Sequence, residues 1–353
     1  MALRTESGRA PSPRAGRPNA VPSDRMTSRM HATSTQVWAA LATVYVLWGS
    51  TYLAIREAVR TMPPFLMASV RYLVAGGILF AFTARRGDRE GDRLGSRQWL
   101  AAAIVGGLLC LGGNGLVSWA EQRIPSGIAA LLVATVPLWM VAVGRLGFGE
   151  RITPREVVGV IVGFGGIFLL VGGVGSGRSF DLAGMLAVVG AALCWGTGSV
   201  YSRRASLPRR ALVSTSMQML AGGALLLVVG AATGEFGAVH PSKISLASIL
   251  GLAWLVVFGS LVAFSAYVWL LQNARISLIS TYAYVNPVVA VFLGWAILSE
   301  PITGTTLLAG AVILAAVALI VSARPAIPKR EGPEPAAATL AENGDLRGEP
   351  AES

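Results

Sequence analysis

The chain contains itself twice, and this constrains its fold more than any other feature. Trp48-Gly49-Ser50 returns as Trp195-Gly196-Thr197, and Trp119, Pro137 and Glu150 return as Trp269, Pro287 and Glu300. The second trio keeps its spacing, with eighteen positions from Trp to Pro and thirteen from Pro to Glu. An old duplication explains this, so the chain is one structural unit used twice.

Composition tells what kind of unit is repeated. Hydrophobic residues make up 54% of the 353 positions and charged residues only 13%, with a mean hydropathy of +0.61, which excludes a water-soluble globule. Apolar runs long enough to cross about 30 Å of hydrocarbon at about 1.5 Å per residue lie near 37–55, 64–84, 99–119, 126–147, 154–174, 182–201, 211–232, 246–271, 277–298 and 303–323. The expected fold is an all-α integral membrane protein of ten transmembrane helices. An odd number of spans per copy makes the second copy enter the membrane from the opposite face, so the two five-helix repeats are expected to be inverted. The repeats are expected over 36–175 and 181–323. The polar segments 1–35 and 324–353, rich in Pro and Ala with Arg or Glu, are expected to be disordered cytoplasmic tails. The first of them has no apolar core and does not read as a secretory signal peptide.

Charge placement supports this arrangement. With both termini inside, the inner loops carry Arg85, Arg86, Arg89, Arg93, Arg97, Arg145, Arg151, Arg155, Arg203, Arg204, Arg209, Arg210 and Arg275. The outer loops carry only Arg56, Arg60, Arg123, Arg178 and Lys243. That is the positive-inside bias. The net charge of +11 therefore reports orientation against anionic lipid rather than a nucleic-acid footprint. No nucleic-acid partner is expected, and the expected location is the inner (plasma) membrane. Cys110 and Cys194 lie within spans and read as packing residues.

The first span's Trp48-Gly49-Ser50-Thr51-Tyr52, followed by Pro63-Pro64 and Arg71-Tyr72, and the Pro-to-Glu pattern followed by Gly159 and Gly163 resemble the EamA family of the drug/metabolite transporter superfamily. The opening is similar to the YedA-like branch of that family. The resemblance, over residues 37–323, implies a ten-helix inner-membrane carrier with a cavity between its halves. It also implies export of amino acids, other metabolites or drugs, while the residues themselves set neither substrate nor direction. An uptake permease and a translocator of lipids or lipid-linked sugars stay open as alternatives.

Several residues are candidates for the transport site. Pro137 and Pro287 sit mid-span in matched positions; each removes a helical hydrogen bond and crowds the carbonyl four residues earlier, as a hinge or as a plain packing kink. Tyr45, Trp48 and Tyr52 share a helical face and, with Ser50, are expected to face Trp195, Thr197, Ser199 and Tyr201 across a substrate path; core packing is the alternative. Tyr282, Asn286 and Asn114 are polar groups that serve either as links between helices or as substrate contacts. Arg71 is the one clearly intramembrane cation, matched in the second half by Gln218. It either binds carbonyls freed at a broken span, attracts a substrate carboxylate, or snorkels to the interface.

No Asp or Glu lies mid-span. Transport is thus either facilitated diffusion or coupled through Glu150 and Glu300, whose other reading is helix-end capping; Glu57 and Glu121 lie beside loops. Glycines in the fifth and tenth spans fit close helix contact or a dimer surface, so a monomer and a homodimer are both open. The sequence has no HExxH, GxSxG, P-loop or acidic metal cluster, and His31 and His240 fall outside the spans, so neither an enzyme nor a cofactor or metal site is expected. A channel would need charged rings or a carbonyl filter, and neither is visible. The expected partners are a small-molecule substrate and membrane lipid.

Overall fold

A computed structural model describes residues 33–85, 94–149, 153–171, 181–208, 210–274 and 282–323. The tails and Glu150 lie outside these residues.

Among the described residues ten spans appear in the expected order. The first is Ser34–Ala58 and the second Pro64–Arg85. The third runs as Ser96–Gly106, a π-helical stretch Gly107–Gly115, and Leu116–Ala120. The fourth is broken into Ser126–Val133 and Val136–Phe148, and the fifth is Pro154–Val171. The second copy supplies Leu182–Ser202, Ala211–Ala232, an eighth span of Leu246–Trp254, π-helical Leu255–Val262 and Ala263–Asn273, then Tyr282–Leu298 and Gly304–Ala323. Side-chain caps start several of them. Thr33 and Gln36 form a reciprocal capping box, Asp181 accepts from Gly184 N–H, and Ser245 accepts from Ser248 N–H, meeting amides that have no partner within the helix.

The packing shows the inversion directly. The second span packs along the seventh and the fifth along the tenth. A Cβ on Gly76 would lie 2.9 Å from Met219 Cβ, one on Gly223 would lie 3.1 Å from Leu73 N, and Leu66 meets Gly230. Numbers that rise along one helix fall along the other, so these matched spans run antiparallel, as only inverted copies allow.

The remaining spans are exchanged. The first packs on the eighth and ninth, and the sixth packs on the third and fourth. The repeated Trp-Gly pair is the reason these contacts are close. A Cβ on Gly49 would lie 2.7 Å from Val289 Cβ, and one on Gly196 would lie 2.9 Å from Trp139 Cβ; Trp139 and Val289 are matched positions two after each proline. Close backbone approach of this kind is how helices associate where lipid removes a hydrophobic driving force.

The glycines of the fifth span are used in the same way. Gly159 meets Ile320 and Ala316, Gly163 meets Leu138, and Gly166 meets Ile313. Gly159, Gly163 and Gly166 thus serve contacts within the chain.

Candidate functional site

Trp48 is the centre of an aromatic cluster between the halves. Its ring lies 5.0 Å from Tyr267, 5.3 Å from Tyr282 and 5.9 Å from Phe264, and its Nε1–H donates to the Gly259 carbonyl at 3.2 Å. Tyr45 packs beside it against buried Leu41, Val44 and Leu270. Edge-to-face contacts of this sort each add about 0.5–1.5 kcal/mol beyond burial. Four rings thus fill the space between the first span and the second half. An open recess of about 560 Å³, lined by Trp295, Ser299, Pro301 and Ile302, lies at the other end of the ninth span from Tyr282.

The first and sixth spans, expected to face each other across a path, pack on different partners. Trp195 lies against Gly113 of the third span, where a Cβ would come within 2.8 Å of its ring. In this bundle the first span of each copy packs on the third and fourth spans of the other. Two serine hydroxyls of these spans are also already engaged. Ser50 donates to Leu47 O at 2.8 Å and accepts from Trp254 Nε1–H at 3.0 Å, and Ser199 donates to Trp195 O at 2.7 Å. Tyr52 packs against the main core.

The two π-helical stretches are not legible in the sequence. They fall at matched places in the third and eighth spans and serve as the polar seams of the bundle. Asn114 Nδ2–H donates to Leu109 O at 3.2 Å in the first stretch. In the second, Gly259 O receives Trp48, and the neighbouring Ser260 hydroxyl receives Arg71 Nε–H at 3.0 Å.

Arg71 is buried, 6% exposed, with its guanidinium 4.9 Å from the Tyr72 ring. That removes the snorkelling alternative. Its matched Gln218 accepts from the Cys110 thiol at 4.0 Å through its main-chain carbonyl, Cys110 being the counterpart of Ser260, while its side-chain amide donates to Ser214 Oγ at 2.9 Å. Arg71→Lys keeps the charge and loses the planar donor. Loss of one charged hydrogen bond is worth about 1.5–3 kcal/mol, so a thermal melt of the purified variant should fall by several degrees. An unchanged melt would mean the Ser260 bond contributes nothing.

The prolines behave differently from each other. Before Pro137 the helix stops at Val133, and a turn at Ala134 and Thr135 starts a new helix with Pro137 in its first turn, where a missing N–H costs little. Pro287 lies inside a continuous helix. Beside it, Asn286 is 7% exposed and its Oδ1 has no hydrogen-bond partner, with its backbone carbonyl against Gly49.

Glu300 reaches across to the other half. Ser299, at φ 53°, turns the chain after the ninth span, as Gly149 at φ 66° does after the fourth. Glu300 then accepts from Ser126 N–H at 2.8 Å, Ser126 hydroxyl at 2.9 Å and Gly127 N–H at 3.2 Å. It caps the start of the fourth span, where the helix dipole favours an anion.

Exchanged inverted repeats, paired polar seams and an aromatic cluster between the halves define an α-helical membrane carrier of the two-repeat type. The EamA-like transporter family matches residues 35–172 and 182–322, and the chain belongs to it. Among curated relatives, the chain is 41% identical over 286 residues to the Escherichia coli K12 protein named "Uncharacterized inner membrane transporter YedA", covering 80% of this chain and 90% of that one. It is 24% identical to the Salmonella typhimurium protein named "Probable amino-acid metabolite efflux pump", covering 77% and 90%. A solved crystal structure with 23% sequence identity superposes with a TM-score of 0.56, over 83% of this chain and 99% of that one, which supports the fold.

Proposed function

We propose that this protein is an inner-membrane carrier, both termini cytoplasmic, that exports a small metabolite such as an amino acid, or a drug-like compound, by alternating access. The observation that carries this is the pair of π-helical seams, each gripped by the opposite half's repeated Trp span. Rocking the halves breaks contacts at one seam while keeping those at the other, and this gives two packed states from one duplicated unit.

In this reading Tyr45, Trp48 and Tyr282 form one wall of the substrate path, and Asn286 supplies a free acceptor beside it. Trp195 and Asn114 form the matched wall, Arg71 sets the charge at the seam, Pro137 follows the break in the fourth span, and Pro287 lies within the continuous ninth. The name of the Salmonella relative favours an amino acid as the first substrate to test.

The test is efflux of a preloaded amino-acid and metabolite panel from cells expressing the chain. Trp48→Ala removes three ring contacts and the Gly259 bond and should slow export about tenfold or more, each 1.4 kcal/mol being one decade. Trp38→Ala, at a site 55% exposed, should export as the parent does. Equal export by both variants would remove the aromatic cluster from the path. No panel member moving in cells with correctly inserted protein would count against a metabolite exporter.

A further inference from the structure

One carboxylate in the bundle stands apart from the aromatic cluster, the seams and the caps. Glu121 follows Ala120, the last residue of the third span, and is completely buried, with neither carboxylate oxygen in a hydrogen bond. In the sequence it lies beside a loop. The first span reaches this end of the third through Arg56, and the sixth packs on it through Gly184.

The charged groups around it are engaged elsewhere. On the first span, Arg56 donates to the Glu121 main-chain carbonyl and, at 3.2 Å, to that of Ile124, and Glu57 is paired with Arg60 at 2.7 Å. Tyr52 of the same span is the phenol on its side of the bundle. From the second span, Arg71 is bonded to Ser260, with Tyr72 beneath it. At the start of the sixth, Asp181 faces Arg123 at 3.8 Å. Beyond the ninth stands Glu300, with its three donors.

Two carboxylates at one end of the bundle therefore have opposite environments. Glu300 accepts three hydrogen bonds from the protein. Glu121 has none, and a bare buried anion costs several kcal/mol. Burial first, then the Glu300 charge, push the Glu121 carboxyl well above the usual carboxylate range, against a smaller opposing pull from Arg56 and Arg71. Pairs of this type separate acid from base in many sites.

We propose that Glu121 is the proton-binding site of this carrier, holding its proton while the span ends around it are closed and exchanging it with water when they part. On opening, the O–H bond breaks, the electron pair stays on the carboxylate and the proton passes to water; closing requires the reverse. Proton movement is thereby tied to the opening of one end. This rests on the carrier reading.

The test uses the purified full chain. Its infrared spectrum at about pH 7 should show a protonated carboxyl C=O band that is missing from Glu121→Gln and retained in Glu57→Gln. If the Gln variant does not fold, Glu121→Asp should shift the same band. Melting gives a second readout. A native carboxyl that binds protons more tightly than the unfolded one loses stability as pH rises through the unfolded value toward the native one. Glu121→Gln should therefore melt above the parent at about pH 8 and level with it at about pH 4.

In proteoliposomes loaded with the amino-acid panel, an imposed pH gradient should drive accumulation by the parent, while Glu121→Gln only equilibrates. Absence of the band from the parent, or its survival in Glu121→Gln, would overturn the proposal. So would accumulation indifferent to the gradient. If the parent moves no panel member, the carrier reading fails, and the band and the melting difference still support the proton site.

Discussion

Gly106→Val is expected to be the most damaging single substitution in the bundle. A Cβ at this position would overlap the Gln218 carbonyl oxygen and lie 3.0 Å from Gly222 N and 3.1 Å from Gln218 C. All three obstacles are main chain, so no rotamer change relieves them. Only separation of the third and seventh spans does. Overpacking usually costs about 1–3 kcal/mol, and this site belongs at the top of that range because the obstructing atoms are fixed in a helix. The π-helical seam begins at the next residue, so the same shift carries Cys110 away from Gln218. We expect a lower melting temperature and a loss of monodispersity on gel filtration. Gly77→Ala is the control, since nothing stands within 4 Å of its added methyl, and Ala gains helix propensity. Similar melts for both variants would show that the third and seventh spans are not held in close contact.

Glu300→Ala should have the next largest effect. It strips the acceptors from two amides and one hydroxyl at the start of the fourth span, where Ser126 is fully buried. An unsatisfied buried donor costs about 1–3 kcal/mol. Glu300→Gln keeps one acceptor oxygen and no charge, so stability should rank parent, then Gln, then Ala. This order separates capping from coupling. A cap predicts loss of stability in proportion to the acceptors removed, whereas a coupling group predicts altered gradient dependence in a protein that melts normally. Parent-like melting of Glu300→Ala would return Glu300 to the coupling role.

Part of the candidate site is legible in the sequence, and the reason differs by residue. Arg71 stands out because a cation in an apolar run is rare, and the chain does bury it. The match of Arg71 to Gln218 follows from the repeat offset alone, and the two residues contact the matched Ser260 and Cys110. Repetition singles out Trp48 but not its partners. A helix-face argument ranks neighbours within one helix and says nothing about which distant helix lies opposite. Tyr267 and Phe264 escape it for that reason, being ordinary apolar positions of the eighth span. Glu121 escapes because a residue one place past a span end lies beside a loop in the sequence, and only packing from other spans buries it. The two π-helical stretches leave no mark in the sequence, since the shift from the α-helical pattern is set by packing and by side chains such as Trp48 and Asn114 that bond to the carbonyls there.

By itself the sequence determined the ten spans, the equal halves and their inversion. These follow from hydropathy, from span length against bilayer thickness, and from the odd count per repeat, all of which are local or arithmetic properties. Tertiary structure alone decided that first and sixth spans trade places between the halves, that the repeated glycines receive Val289 and Trp139, and that one carboxylate is sealed while its neighbour is capped. Those outcomes depend on which surfaces meet. In a lipid environment that choice is made by close packing and polar satisfaction between distant segments rather than by hydrophobicity, and hydrophobicity is the signal a sequence carries most plainly.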